Sequence, residues 1–143
     1  MYILQIAFGT PAFDEAVQLR YEVLRRPLGL TYTEEQLAEE YDQVHLAAYS
    51  NSSVLIGYLN LTPQDVGVVK MRQVAVAPDC QGMGVGKELV KAAEDLAIQS
   101  GYKRMVLHAR ETAVPFYKAL EYNSVGAQFE EVGIPHFRME KAL

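Results

Sequence analysis

Hydrophobic and polar positions recur along the chain with two spacings, one near two residues and one near 3.6, which mark strands and helices respectively. Tyr2 to Phe8 predicts a short opening strand. Thr10 and Pro11 follow as an N-cap and a first helical residue, where proline's missing N–H costs nothing. Phe13, Val17, Tyr21 and Leu24 then recur at helical spacing until Pro27 and Gly29 stop the run. Thr33 with Gln36 three residues on predicts a capping box that opens a short helix through Tyr41.

Three strands follow in the pattern. Val44 to Tyr49 and Val54 to Leu61 flank the turn-forming Asn51-Ser52-Ser53. After Pro63-Gln64-Asp65, read as a turn, a third run goes from Val68 to Ala77, ended by Pro78-Asp79. Strict alternation there sends Met71, Gln73 and Ala75 one way and Arg72, Val74 and Val76 the other. The clearest helix comes next. Val85, Leu89, Ala93 and Leu96 form its apolar stripe, Lys87, Glu88, Lys91, Glu94 and Asp95 its wet side, and Gly101 its C′ residue. Arg104 to Ala109 predicts a strand and Ala113 to Leu120 a helix whose Pro115 must sit in the first turn. Ala127 to Val132 and Pro135 to Glu140 predict a closing hairpin around Gly133.

The predicted order is β-α-α-β-β-β-α-β-α-β-β, an α/β (α+β) fold with a mixed sheet. Short turns make the second to fourth strands antiparallel, while the crossover helix allows the fourth and fifth to run parallel. No repeat, low-complexity tract or long linker interrupts the chain, so residues 1–143 read as one domain.

Composition narrows the function. Thirteen Lys+Arg against 18 Asp+Glu give the 143-residue chain a formal charge of -5, which argues against a nucleic-acid partner. One cysteine, Cys80, excludes an internal disulfide framework and fits a reducing, cytoplasmic location. No apolar run approaches the roughly 18–20 residues that span a bilayer, and the first residues lack the basic region of a signal peptide, so no membrane role is expected. His45, His108 and His136 are far apart in sequence without an accompanying ligand pair, which argues against a metal site.

The chemistry concentrates in Gln81-Gly82-Met83-Gly84-Val85-Gly86-Lys87, between a strand and a helix. Glycines let the backbone approach a ligand, and a helix N-terminus offers free N–H groups with partial positive charge, a combination suited to phosphate or pyrophosphate. Lys87 adds a full charge at the rim. Gly82 to Gly86 leaves three intervening residues where a Walker loop needs four, and no Ser or Thr follows Lys87. The G-x-G-x-G spacing is also one residue short of the dinucleotide fingerprint, and its strand does not open a parallel βαβ unit.

The pattern that fits is Q/R-x-x-G-x-G/A, carried by Gln81, Gly84 and Gly86. Here the chain strongly resembles the GNAT superfamily of N-acetyltransferases. Arg72 to Pro78 is similar to that family's central strand, and Ala113-Val114-Pro115-Phe116-Tyr117 to its A-x-x-F-Y segment. Phe129 to Glu140 and Arg20 to Leu30 resemble a bacterial subgroup that includes ElaA-like and YjcF-like proteins. The resemblance implies that acetyl-CoA is the co-substrate, with its pyrophosphate on the residue 81–87 loop (Gln81, Gly82, Met83, Gly84, Val85, Gly86, Lys87). It places the pantetheine arm along Val74, Ala75 and Val76, and further contacts at Ala113, Phe116 and Tyr117.

Acetyl transfer from a thioester to an amine needs a deprotonated amine, a held carbonyl, an oxyanion donor and a proton for the thiolate. The resemblance gives the oxyanion to a backbone N–H near Val74 and the thiolate proton to Tyr117, for which core packing is the alternative reading. Arg110 stands where the family frequently has Asn, and is free to meet a phosphate or carboxylate. Several residues compete as the group that takes the amine proton or contacts the acceptor: His108, Glu130, Glu131 and His136, with a water chain as the alternative. Arg20, Arg25 and Arg26 form a small basic cluster, one member of which is available to an acidic part of a substrate. The expected activity is acetyl transfer to a primary amine on a small molecule or a protein, with a homodimer left open. A non-catalytic acyl-CoA sensor would keep the loop without needing Tyr117.

Overall fold

The computed structural model describes all 143 residues. In it the opening strand, β1 (Tyr2–Ile6), stops two residues short of Phe8, where Gly9 takes φ +74°. The Thr10 hydroxyl donates to the Ala7 carbonyl at 2.7 Å and accepts from the Phe13 N–H at 3.3 Å, capping α1 (Pro11–Arg20). The helix predicted to run on toward Pro27 is regular only to Arg20. Tyr21–Arg25 widens into a π-helical winding and Arg26–Leu28 tightens into a 3₁₀ turn, ended by Gly29 at φ +69°. Pro27 has no N–H to return to the preceding turn, so the regular ladder cannot continue through it. The capping box forms as expected: the Thr33 hydroxyl accepts from the Gln36 N–H at 3.1 Å, and the Gln36 side chain accepts from the Thr33 N–H at 2.9 Å. It opens α2 (Glu34–Ala38), after which Glu39–Asp42 is a 3₁₀ turn.

The strands β2 (Val44–Tyr49), β3 (Leu55–Asp65) and β4 (Val68–Val76) are antiparallel, as predicted. Pro63-Gln64-Asp65 is not a turn, however. It lies in β3, where the ladder is irregular and tolerates a residue with no N–H, and the reversal falls at Val66 and Gly67 (φ +70°). The alternation predicted for β4 also fails. Tyr58 pairs with Ala75 and Asn60 with Arg72, so Leu59 faces both Gln73 and Val74 across a bulge in which Gln73 has φ +57°. The extra residue reverses the facing, so Arg72 and Ala75 share one face of the sheet while Met71 and Val76 share the other.

The third helix, α3 (Val85–Gln99), ends in a Schellman motif: Gly101, at φ +90°, and Tyr102 return hydrogen bonds of 3.0 Å to Ile98 and Ala97. β5 (Arg104–Arg110) runs parallel to β4. α4 (Val114–Ala119) is shorter than its sequence signal and carries Pro115 in its first turn. A two-residue strand that the pattern did not show, β6 (Asn123–Ser124), precedes β7 (Phe129–Glu131) and β8 (Ile134–Ala142). Val132 and Gly133 both take positive φ, which closes the β7–β8 hairpin.

The sheet order is β1-β2-β3-β4-β5-β8-β6, with β7 paired to β8. One face buries Leu89, Val90, Ala93 and Ala97 of α3 against Leu59, Leu61, Met71 and Met105. Each of the buried Leu, Val and Met side chains is worth about 1.5–3 kcal/mol of transfer free energy. Gly57 sets how closely α3 approaches, because a Cβ there would lie 2.8 Å from Leu89 Cδ1 and 2.9 Å from Val85 Cγ1. The other face packs Ala16 of α1 on Ile6, Ala47 and Tyr58, beside a buried bidentate ion pair in which both Arg20–Glu40 distances are 2.7 Å. No helix is long and apolar enough to cross a membrane.

Candidate active site

Between β4 and β5 the sheet opens. The two strands pair only from Val68 to Lys70 on β4 and from Arg104 to Val106 on β5, and beyond Lys70 they diverge. Ala77 donates its N–H to Ile56 on the β3 side, so alternation turns the main-chain groups of Val76 and Val74 toward the opening. The Val76 carbonyl on that side accepts from Gln81 Nε2 at 3.1 Å. Ala75, paired with Tyr58, turns its backbone toward β3.

The divergence forms a cleft of about 590 Å³ whose lining includes Val74, Gln81, Ala113, Tyr117, His108, Glu131 and His136. These predicted residues come from the separate elements β4, β5, β7 and β8, α4, the 3₁₀ turn Glu111–Ala113 before α4 and the glycine loop. At the loop, Gly82 and Gly84 take φ +79° and +85°, and a Cβ on either would meet nothing within 4 Å. Gly84 is the N-cap of α3 and no side chain caps that end, so the first helical amides stay free. Gly86 does something different: its missing Cβ makes room for Phe116, whose Cζ would stand 3.2 Å away. The Val85 side chain turns into the core, whereas Met83 and Lys87 are exposed. An open, uncapped helix start of this kind fits the diphosphate of an acyl-CoA.

Tyr117 is 7% exposed, packs edge-on against Phe116 and Tyr122, and lines the cleft. Burial pushes its phenol pKa well above the ordinary value, so the hydroxyl carries its proton at neutral pH. Tyr122 beneath it spends its own hydroxyl on Glu94 Oε2 at 2.7 Å.

On the far wall, His108 Nδ1 lies 3.0 Å from Glu131 Oε1, and His136 Nε2 lies 3.5 Å from Glu131 Oε2. His136 donates Nδ1–H to the Ile134 carbonyl at 2.9 Å, which fixes its tautomer. Lys70 Nζ approaches His108 Nδ1 at 3.5 Å. Burial by itself would raise the Glu131 carboxyl; the His108 hydrogen bond and the charges of His108, His136 and Lys70 outweigh it and hold Glu131 below the usual carboxylate range. Glu130, one residue earlier, does not line the cleft.

The predicted basic cluster divides. Arg20 is buried on Glu40, Arg26 pairs with Glu22 at 2.9 Å, and only Arg25 reaches the cleft, stacked 4.5 Å over Tyr32. Arg110 also lines the cleft and donates to the Leu24 carbonyl at 2.8 Å. Pattern reading passed over Lys70, Arg72, Gln73 and Tyr32. The available signal was three polar residues, Lys70, Arg72 and Gln73, inside an otherwise apolar strand. Cys80 holds its thiol toward Asp79 at 3.7 Å, and burial with the Asp79 charge pushes its pKa up, the opposite of an activated nucleophile.

Residues 18–143 match the family model for the acetyltransferase (GNAT) domain. The uncharacterized N-acetyltransferase YjcF of Bacillus subtilis is 29% identical over 137 residues, which cover 95% of this chain and 96% of that protein. The crystal structure of a protein described as an N-acetyltransferase from Lactobacillus plantarum superposes with TM-score 0.86 at 27% identity, covering 100% of this chain and 99% of that one. An aminoglycoside 6′-N-acetyltransferase complexed with coenzyme A shares the fold, with TM-score 0.82 at 17% identity over 99% and 97% of the two chains. The chain therefore belongs to the GNAT superfamily and is an acyl-CoA-dependent acetyltransferase.

Proposed function

We propose that the enzyme moves acetyl from acetyl-CoA to a primary amine by direct attack, with no covalent acyl-enzyme. The observation that carries this reading is the shared cleft: a buried, proton-bearing Tyr117 and a His108 held by Glu131 line one opening between β4 and β5. The coenzyme A complex of the structural neighbour supports the same co-substrate.

In this reading the free amides at the start of α3, with Gly82, Gly84 and Lys87, hold the diphosphate. The outward-facing backbone of Val74 and Val76 holds the pantetheine arm. Acetyl-CoA brings a thioester carbonyl, which is open to attack by an amine. Glu131 accepts the Nδ1–H of His108, which leaves His108 Nε2 as a lone pair able to take the proton of the attacking amine. The Val74 N–H donates to the oxygen that becomes negative as the C–N bond forms. When the C–S bond breaks, Tyr117 gives its proton to the departing sulfur and regains one through solvent from His108, so charge and protons balance. A cytoplasmic location fits the one unpaired thiol, Cys80.

The test is coenzyme release from acetyl-CoA across a set of primary amines. Saturable, amine-dependent release is expected, and Glu131→Gln should depress turnover and shift its pH profile while coenzyme affinity stays within twofold. Release that is independent of amine would overturn direct transfer.

A further inference from the structure

The arginines divide into two groups. Of seven in the chain, Arg20, Arg26, Arg104 and Arg138 each have a carboxylate within 4.0 Å. The three that have none, Arg25, Arg72 and Arg110, are the three that line the cleft. Arg25 offers a guanidinium N–H to the Thr31 carbonyl at 3.4 Å and Arg110 to the Leu24 carbonyl, but Arg72 makes no side-chain hydrogen bond at all. All three are only partly exposed. A half-buried guanidinium loses hydration, and in folded proteins that loss is normally offset by an anion.

The imbalance is local and runs against the chain's overall charge of -5. Among the residues lining the cleft, the single carboxylate is Glu131, and one of its oxygens already accepts from His108 Nδ1 at 3.0 Å. A smaller cavity of about 200 Å³ adjoins the cleft and shares Arg25, Arg72 and Gln73 with it. That cavity does hold carboxylates, but both oxygens of Glu40 are bound by Arg20, and Glu39 is exposed at its edge. The cations also feel one another. Burial first, and then Arg25, lower the Arg110 pKa, while burial and then Arg72 lower that of Lys70.

Resting on the acetyl-transfer reading above, we infer that Arg25, Arg72 and Arg110 form a subsite for an anionic group on the acceptor, so that the acceptor is a small amine carrying a carboxylate or a phosphate. Planar guanidinium groups suit the paired oxygens of either anion. The same three charges oppose a polycationic amine. The Gln73 bulge puts Arg72 on the face of the sheet that Ala75 shares, away from the α3 core.

Matched acceptors test the idea. One arm pairs aminoalkyl carboxylates of increasing length with their primary amides, and the other pairs O-phosphoethanolamine with ethanolamine. At least a tenfold higher kcat/KM is expected for the anionic member of one arm, and the arm that shows it tells carboxylate from phosphate. Arg72→Gln is the cleanest variant because that side chain makes no hydrogen bond or ion pair with the rest of the chain; it should bring the ratio toward one, mainly through KM, with the acetyl-CoA Kd within twofold of wild type. Arg25→Gln provides a second variant at a more peripheral position, and the coenzyme Kd reports whether each variant is folded. Preference for the neutral or cationic member, or a preference that survives both variants, overturns the anion subsite while leaving amine acetylation standing. Absence of turnover with every amine overturns both.

Discussion

The Tyr32 hydroxyl donates a 2.6 Å hydrogen bond to Oε1 of Gln73, the residue held at φ +57° in the β4 bulge. Tyr32 is itself fixed by Arg20 and Arg25, whose guanidinium carbons lie 4.7 and 4.5 Å from its ring centre. The segment after α1 is thereby tied to the point where β4 reverses its facing. Tyr32→Phe leaves the Gln73 oxygen without this partner, a loss of about 1 kcal/mol. A roughly fivefold fall in kcat/KM for the amine is expected, with unchanged acetyl-CoA affinity. Steady-state kinetics beside a coenzyme titration check this, and weakened coenzyme binding with intact kcat/KM would detach the bond from acceptor geometry.

Tyr117→Phe keeps the ring that packs on Phe116 and Tyr122 and removes only the hydroxyl. If the phenol protonates the thiolate, kcat should fall about 10²-fold or more while coenzyme Kd moves little. Equal turnover in the variant would reduce Tyr117 to a packing residue.

Gly84→Asp puts a negative charge at the uncapped start of α3. Acetyl-CoA Kd should rise at least about tenfold, equivalent to ~1.4 kcal/mol. Gly84→Asn imposes the same backbone demand at φ +85° without the charge, so the difference between the two isolates electrostatics at the loop. Identical affinities for both would remove the diphosphate from this loop.

His45 supplies a pH dependence of stability. Its Nδ1 accepts from the Tyr58 hydroxyl at 2.6 Å and its Nε2–H donates to the Glu40 carbonyl at 3.0 Å, beside the rings of Phe8 and Phe13 and near Arg20. Burial, with Arg20 adding to it, lowers its pKa below the ordinary 6.5. The unfolded chain therefore takes up the proton first as pH falls, so this contribution is complete above about pH 6.5 and is lost as pH falls toward the folded value. Urea midpoints at pH 7.5 and 5.5 should differ less in His45→Gln than in wild type. An unchanged difference would exclude His45 as its source.

Local chemistry determined much of this protein. Thr33 and Gln36 capped a helix, Gly101 ended one, and the spacing of Gln81, Gly84 and Gly86 marked a loop that fits neither the Walker nor the dinucleotide pattern, because each depends on groups a few residues apart. The α3 stripe was legible for the same reason. His108, Glu131 and His136 could be nominated singly from the sequence, but their meeting at 3.0 and 3.5 Å requires β5, β7 and β8 to pair in one register.

Tertiary structure alone decided the β4 bulge, the end of the β4–β5 pairing at Lys70 and the place of Gly57 under α3. Alternation carries no sign of an extra residue when the partner strand is unknown, so Arg72 and Ala75 looked like opposite faces. The separation of the arginines into paired and unpaired was equally hidden: Arg20 and Arg25 are near neighbours in sequence, yet one is buried on Glu40 and the other lines the cleft. Side-chain type is local, whereas the company a charge keeps is set by how distant segments pack.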